Sequence, residues 1–328
     1  MLCPYLMISS GSGVSHDCVT KRSEETRQLL GCHGPYHDRQ DSVAWSGPCH
    51  PRKTIKSMAI VRPLNVLLTF GSVLLGGYLA SRYAEWNWLR VLIAACSASL
   101  ILAAGNAFND IVDIKSDTVN HPDRPLVTGH ISKTSTWWVV VVCAVIGIWL
   151  ALLVSATAFA VAVFVTLLLA AYSLYLQSVP LLGNLAVAVM AALTFPFGGI
   201  AVGSIRGTEY PGLFALLFHF GREIVKDLED RRGDAEVEVN TLAVRFGVKF
   251  PKIVVSVILA ALIVVTFIPF LKGTYGLTYF LIAVLGVDGL LTGMIWKLWT
   301  SEDAQSLRQV SMGLKAGMAI GLIAIVLG

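Results

Sequence analysis

Long apolar runs, separated by short polar connections, fill the chain from about residue 58 to its end. A bilayer core is crossed by roughly 20 apolar helical residues. On that measure the pattern predicts nine spans, at about 60–81, 88–108, 136–154, 157–177, 179–204, 208–221, 253–271, 275–298 and 306–327. The sixth is short and runs into a charged segment. No stretch keeps the period-two alternation of a lipid-facing barrel strand. Backbone polar groups in a bilayer are satisfied within a helix or a closed barrel, so the expected fold is an all-helical, polytopic bundle.

Composition agrees: 55% of the 328 residues are hydrophobic, 14% are charged, and the mean hydropathy is +0.69. These values describe an integral, multi-pass membrane protein rather than a soluble enzyme. The net charge of +4 gives no reason to expect nucleic acid, and no segment points to a protein partner. The placement of charge is more informative. With the N-terminus inside, fifteen Lys and Arg flank the spans on the inner side, against Arg82, Arg90, Arg206 and Lys272 on the outer side. Positive-inside asymmetry therefore predicts a cell-membrane protein whose N-terminus and loops after spans two, four, six and eight are cytoplasmic.

Residues 1–57 differ from the rest. They are polar and hold Cys3, Cys18, Cys32 and Cys49 together with His16, His33, His37 and His50. The spacings form no compact Cys/His cluster of the kind zinc needs, and no basic segment leads into an apolar signal core. The expectation is a disordered tail, or a start placed too early, with Met58 the alternative at "MAIVRPLN". Residues 58–328 are then the membrane domain. Cys96 and Cys143 fall inside spans and are expected to pack.

Two acidic stretches break the apolar pattern. "GNAFNDIVDIKSD" ends the second span and places Asp110, Asp113 and Asp117 at i, i+3 and i+7. "GREIVKDLEDRRGD" follows the sixth and repeats the spacing with Asp227, Asp230 and Asp234. Such positions share one helix face. Asn106 and Glu223 each precede their stripe by four residues, and Asn109 can join the face of Asp113 and Asp117. A single acidic helix end is ordinarily a solvated cap. Two facing stripes on the same predicted side would repel unless a cation lay between them. Hard oxygen donors in this number suit Mg2+, which also takes phosphate oxygens and water. Arg124, in "NHPDRPLVTGHIS", and Arg222, Lys226, Arg231 and Arg232 around the second stripe could hold phosphate oxygens, or serve only the inside-positive topology.

A Mg2+–pyrophosphate site at a membrane surface, backed by an apolar bundle, matches a polyprenyl pyrophosphate. Mg2+ and basic residues would stabilise the departing pyrophosphate. Tyr172, Tyr175, Phe195 and Phe197 could wall the allylic cation, or simply pack. No Ser-His-Asp or Cys-His arrangement is evident, and ionisation needs no protein nucleophile.

On these residues the sequence resembles the UbiA superfamily of intramembrane prenyltransferases. The first motif, N-D-x-x-D-x-x-x-D, stands at Asn109, Asp110, Asp113 and Asp117. The second, D-x-x-D-x-x-x-D, stands at Asp227, Asp230 and Asp234. The resemblance covers about residues 58–328. "VRPLN", "NHPDRPLVTGHIS", "PLLGN", "REIVKDLEDRRGD" and the last helix are similar to the branch acting on geranylgeranylglyceryl phosphate. The resemblance implies a nine-helix bundle and Mg2+-dependent transfer of a geranylgeranyl group from its pyrophosphate to a lipid hydroxyl, giving an ether lipid. It implies metal ligation by Asn109, Asp110, Asp113, Asp117, Asp227, Asp230 and Asp234, with Asp113, Asp117, Asp230 and Asp234 catalytic. Substrate contacts would come from Arg62, Asn65, Asn106, Arg124, Tyr172, Arg222 and Lys226. Arg62 and Asn65 would face the acceptor; Arg62 could instead snorkel to the surface.

One departure is Gln177, which stands near a position where many relatives carry Lys; the long N-terminal segment is another. Two other functions are open. An aromatic acceptor such as 4-hydroxybenzoate would place the chain in quinone biosynthesis. A cation transporter would need carboxylates near mid-membrane, where only Asp288 lies. Asp288 and Lys315 fall at similar depth in adjacent spans and are expected to form an ion pair or to serve the acceptor pocket.

Overall fold

The computed structural model describes residues 59–236, 240–300 and 303–328. The polar first 57 residues and Met58 lie outside the described residues. After a short 3-10 turn at Ala59–Val61, the helices are α1 (Pro63–Ala80), α2 (Trp88–Val112), α3 (Ile114–Asn120), α4 (Lys133–Val154), α5 (Ala156–Leu174), α6 (Leu182–Ala192), α7 (Thr194–Val202), α8 (Glu209–Glu236), α9 (Leu242–Phe246) and α10 (Lys249–Leu271). The chain then forms α11 (Leu277–Leu281), a π-helical segment (Ile282–Asp288), α12 (Gly289–Thr300) and α13 (Ala304–Leu327). No strand occurs among the described residues.

Among the described residues, eight helical segments are long and apolar enough to cross a membrane. α8 is the difference from the nine expected spans. It runs for 28 residues, but only its first half is apolar, and its second half carries the charged stretch that follows residue 221. The fifth span is divided between α6 and α7, with a junction at Leu193.

α2 is the central helix: 61% of its most apolar window is buried, against 17% for α4 and α5. α4 and α5 instead turn Val145, Trp149, Phe164 and Leu167 outward. Such apolar surface is stable against lipid rather than water. Exposed tryptophans mark the two ends of the bundle, Trp86 and Trp88 at one and Trp137, Trp138, Trp296 and Trp299 at the other. The second of these ends is where α2 and α5 finish and where α8 continues past the apolar layer.

α1 packs on α7, and α8 packs on α6, α10 and α13. The α1–α7 approach depends on absent side chains, because a Cβ at Gly198 would lie 2.0 Å from the Val73 carbonyl oxygen. Small residues of this kind let membrane helices come together and gain dispersion contacts that apolar side chains gain equally from lipid.

Asp288 and Lys315 do not form the expected ion pair. Thr266 Oγ1 on α10 stands 3.0 Å from Asp288 Oδ2, and Tyr279 donates to the Thr266 carbonyl at 2.9 Å. The π-helical segment ends at Asp288, and the added residue in its turn changes the phase of the helix. Asp288 then meets α10, while Lys315 lines a cavity described below.

Candidate active site

The two acidic motifs meet at the end of the bundle marked by Trp137 and Trp299. The first is not on one continuous helix. α2 ends at Val112, Asp113 occupies the junction with φ −85° and ψ 9°, and α3 begins at Ile114. The second lies on the unbroken C-terminal half of α8. α3 packs against α8, and between them a small polar pocket of about 60 Å3 is lined by Asp113, Asp117, Asp227, Asp230 and Asp234. Five of the six motif aspartates therefore face one space. Ser116, Asn120, His121, Arg124, Tyr172, Gln177, Lys226 and Thr241 complete its walls.

Asp110 is the exception. Its side chain is 3% exposed and stands 2.7 Å from Arg62 and 3.2 Å from Arg124. Arg124 also pairs with Asp117. Arg62 holds an uncommon left-handed backbone, φ 52°, immediately before Pro63. A side chain with a Cβ enters that region at a cost, and the ion pair to Asp110 contributes to holding it there. Arg62 is therefore tied to the first motif as well as facing the interior.

Each remaining carboxylate has a neighbour drawn from another element. Gln177, in the 3-10 turn Leu176–Ser178, donates to Asp113 at 2.9 Å, and Asn109 donates to the other Asp113 oxygen. Asn184 donates to Asp227 at 2.9 Å. His121 Nε2 lies 3.2 Å from Asp230. Asn120 donates to Asp234 at 3.4 Å and accepts from the Gly233 amide at 3.1 Å. A Cβ on Gly233 would stand 2.2 Å from the Asn120 oxygen, so this clasp needs glycine. Asn120 stands in the loop singled out after the first motif; Asn184, His121 and Thr241 are not marked as site residues by the motif spacing. Asn120 and His121 open the segment "NHPDRPLVTGHIS" and Asn184 closes "PLLGN", whereas Thr241 carries no sequence signal beyond lying after the second motif.

Burial and crowding set the charge of the pocket. Burial, reinforced by Glu223 and Asp234 and opposed by the Asn184 hydrogen bond, pushes the Asp227 carboxyl up to about 7. Burial and the neighbouring Asp230 raise Asp234 to about 7. Burial also raises Asp117 despite Arg124. For Asp230 burial acts in the same sense, but His121, Lys226 and Arg124 outweigh it and hold the carboxyl below its usual range.

Among the described residues no three His, Cys, Asp or Glu side chains converge as a preassembled metal centre. The donor set still fits Mg2+. Mg2+ is commonly bound by one or two carboxylates, with substrate phosphates and water completing the shell. Carboxylates raised by burial and by one another's charge are those a cation would stabilise. Thr241 is 6% exposed, faces the same pocket, and leaves its buried Oγ1 without a partner, which a bound group could supply.

Beside this pocket lies a larger cavity of about 270 Å3 that shares Tyr172 and Lys226 with it. Arg62, Asn65, Asn106, Asn109, Arg222 and Glu223 line its polar end. Asn106 also donates to the Val61 carbonyl at 3.0 Å, fixing the chain just before Arg62. Deeper walls come from Leu68, Ala98, Ala162, Val165, Met190, Phe195, Phe197, Phe214 and Ile325. Tyr172, Phe195 and Phe197 thus reach the cavity. Tyr175 does not: it is 70% exposed on the outside of the bundle.

A carboxylate pocket beside an apolar cavity suits a ligand with an anionic head and a hydrocarbon tail. Known proteins share the fold and much of the sequence. Residues 69–317 match the UbiA prenyltransferase family. The digeranylgeranylglyceryl phosphate synthase of Methanopyrus kandleri is 33% identical over 269 residues, covering 81% of this chain and 96% of that protein. The synthase of the same name from Sulfurisphaera tokodaii is 35% identical over 254 residues, covering 76% and 90%. A solved structure concerned with digeranylgeranylglyceryl phosphate synthase in membranes superposes with a TM-score of 0.67 at 27% identity, covering 84% and 98%. The fold is also that of an Archaeoglobus fulgidus UbiA homologue solved with GPP and Mg2+, with a TM-score of 0.62, 16% identity and coverage of 83% and 99%. By the extent of these matches and by both acidic motifs, the chain belongs to the UbiA prenyltransferase family.

Proposed function

We propose that the protein transfers a geranylgeranyl group from its pyrophosphate to the free hydroxyl of geranylgeranylglyceryl phosphate, forming an ether lipid at the cytoplasmic side of the cell membrane. The supporting observation is that five aspartates from two motifs line one pocket, next to an apolar cavity with a polar mouth. The relatives named for this reaction support the choice of acceptor. The excess of Lys and Arg around the motif loops supports the orientation.

In the reaction, the acceptor oxygen bonds to C1 of the prenyl chain and the bond from C1 to pyrophosphate breaks. Pyrophosphate and the hydroxyl proton are released. Mg2+, when bound, supplies Lewis-acid stabilisation of the leaving pyrophosphate. Asp113, Asp117, Asp227, Asp230 and Asp234 are its ligands in this reading, and Asp110 holds Arg62 and Arg124 in place. Arg124 and Lys226 face the pyrophosphate oxygens. Gln177 and Asn184 orient carboxylates across the pocket. Tyr172 walls the prenyl chain near its reacting end, Phe195 and Phe197 wall it deeper in the cavity, and the cavity keeps bulk water from the electron-deficient C1.

The test is an acceptor competition on purified protein in detergent. Labelled geranylgeranyl pyrophosphate and Mg2+ are supplied with geranylgeranylglyceryl phosphate and 4-hydroxybenzoate together, with and without EDTA. An EDTA-sensitive diether phospholipid is expected. A prenylated aromatic acid instead would move the protein to quinone biosynthesis.

A further inference from the structure

We propose that Arg222 and Lys315 form a second anion site within the large cavity, apart from the carboxylate pocket, and that it holds the phosphate of the acceptor lipid. This rests on the acceptor being a phospholipid, as proposed above.

Lys315 enters the cavity from α13, eleven residues after Ala304, where the helix begins. At 1.5 Å per residue that is roughly 16 Å along the span. An amine so placed is costly without an anion. The charged groups that line the cavity with it are Arg62, Arg222, Glu223 and Lys226. Three of these already have partners: Arg62 pairs with Asp110, and Arg222 Nη1 donates to Glu223 at 2.5 Å. Among the described residues no carboxylate lies within ion-pair distance of Lys315 or Lys226. The Arg222 Nε is buried and lacks any partner. The mouth of the cavity therefore carries more cationic charge than its single carboxylate neutralises, and it offers an unused buried donor.

The site differs in kind from the motif pocket. Arg222 and Lys315 line only the large cavity, and Lys226 lines both spaces and stands between them. The motif pocket is crowded with carboxylates, so an anion enters it with a cation. The Arg222–Lys315 site has a net cationic character and takes a bare phosphate directly. A glycerol phosphate anchored there keeps its free hydroxyl a few bonds from the phosphate, toward Lys226 and the motif pocket. Its hydrocarbon chain then occupies the apolar depth.

The experiment measures binding to the detergent-solubilised full chain with chelator present and no donor. The probes are geranylgeranylglyceryl phosphate, its phosphate-free glycerol ether and inorganic pyrophosphate, and the proteins are wild type, Lys315→Met and Lys315→Arg. Wild type is expected to prefer the phosphorylated lipid by about tenfold or more, the range of a charge-assisted hydrogen bond. Lys315→Met should lose that preference while binding the phosphate-free ether as before, which also reports a folded protein. Lys315→Arg should recover it. An undiminished preference in Lys315→Met overturns the proposal. Pyrophosphate binding that depends on Lys315 overturns it too, by giving the site to the donor. The acceptor assignment fails separately, if wild type binds the phospholipid through Lys315 yet forms no ether product from it.

Discussion

Gln177 donates to Asp113 across 2.9 Å, joining the turn before α6 to the break between α2 and α3. An amide at this place orients a carboxylate oxygen without neutralising it, where a Lys would do both. Gln177→Ala is expected to weaken the apparent Mg2+ affinity by about tenfold, the value of one hydrogen bond to a charged group. Titration of activity against Mg2+ checks this. An unchanged midpoint would show that Asp113 is held by Asn109 alone.

Asp113→Ala and Asp230→Ala each remove a proposed Mg2+ ligand, one from each motif. Turnover should fall by at least about 100-fold in either, as with loss of other groups that stabilise a charged transition state. Both variants should remain monodisperse in detergent. Full activity in either one would exclude a metal site built from both motifs.

Arg124 is 18% exposed along its side chain and holds both Asp110 and Asp117. Removing one partner from a buried ionic group leaves uncompensated charge, at a cost of roughly 3–5 kcal/mol. Arg124→Ala should lower the thermal stability of the metal-free protein more than Arg124→Lys does. Thermal unfolding of both variants, followed in detergent, separates the two outcomes.

The metal-free pocket has a defined pH dependence. Asp227 and Asp234 titrate near 7 when folded, against an ordinary 3.8. Between those values the folded chain binds more protons than the unfolded one. Their contribution to stability is therefore fully present below about 4 and is lost as pH rises through about 7. In EDTA the unfolding temperature should fall from pH 5 to pH 8. Mg2+ must displace these protons, so its affinity should rise over the same range. A Mg2+-induced gain in unfolding temperature that is equal at pH 6 and pH 8 would contradict this.

Thr241 carries a buried hydroxyl with no partner facing the carboxylate pocket. Replacing it with Val removes an unsatisfied polar group at nearly constant shape. Stability should hold or rise slightly. If the hydroxyl serves the pyrophosphate, the donor KM should rise several-fold with the acceptor KM unchanged. Steady-state kinetics with each substrate varied in turn provides the check.

The sequence by itself determined the helical membrane class, because a bilayer leaves unpaired backbone no other solution over runs of this length. It also determined the second acidic stripe, on the unbroken half of α8, since i, i+3, i+7 spacing is a local property of a 3.6-residue turn; the first stripe is interrupted at Asp113. Tertiary structure decided what met those stripes. Gln177 comes from a turn, Asn184 from the first turn of α6 and Thr241 from the segment before α9, and what they face depends on how α5, α6 and α8 pack, which no local period encodes. It also separated Asp110, held by Arg62 and Arg124, from the five aspartates that share a pocket. Depth along neighbouring spans predicted an Asp288–Lys315 pair, but depth leaves helix rotation undefined. The π-helical turn ending at Asp288 set that rotation, giving the carboxylate to Thr266 and leaving Lys315 to the cavity.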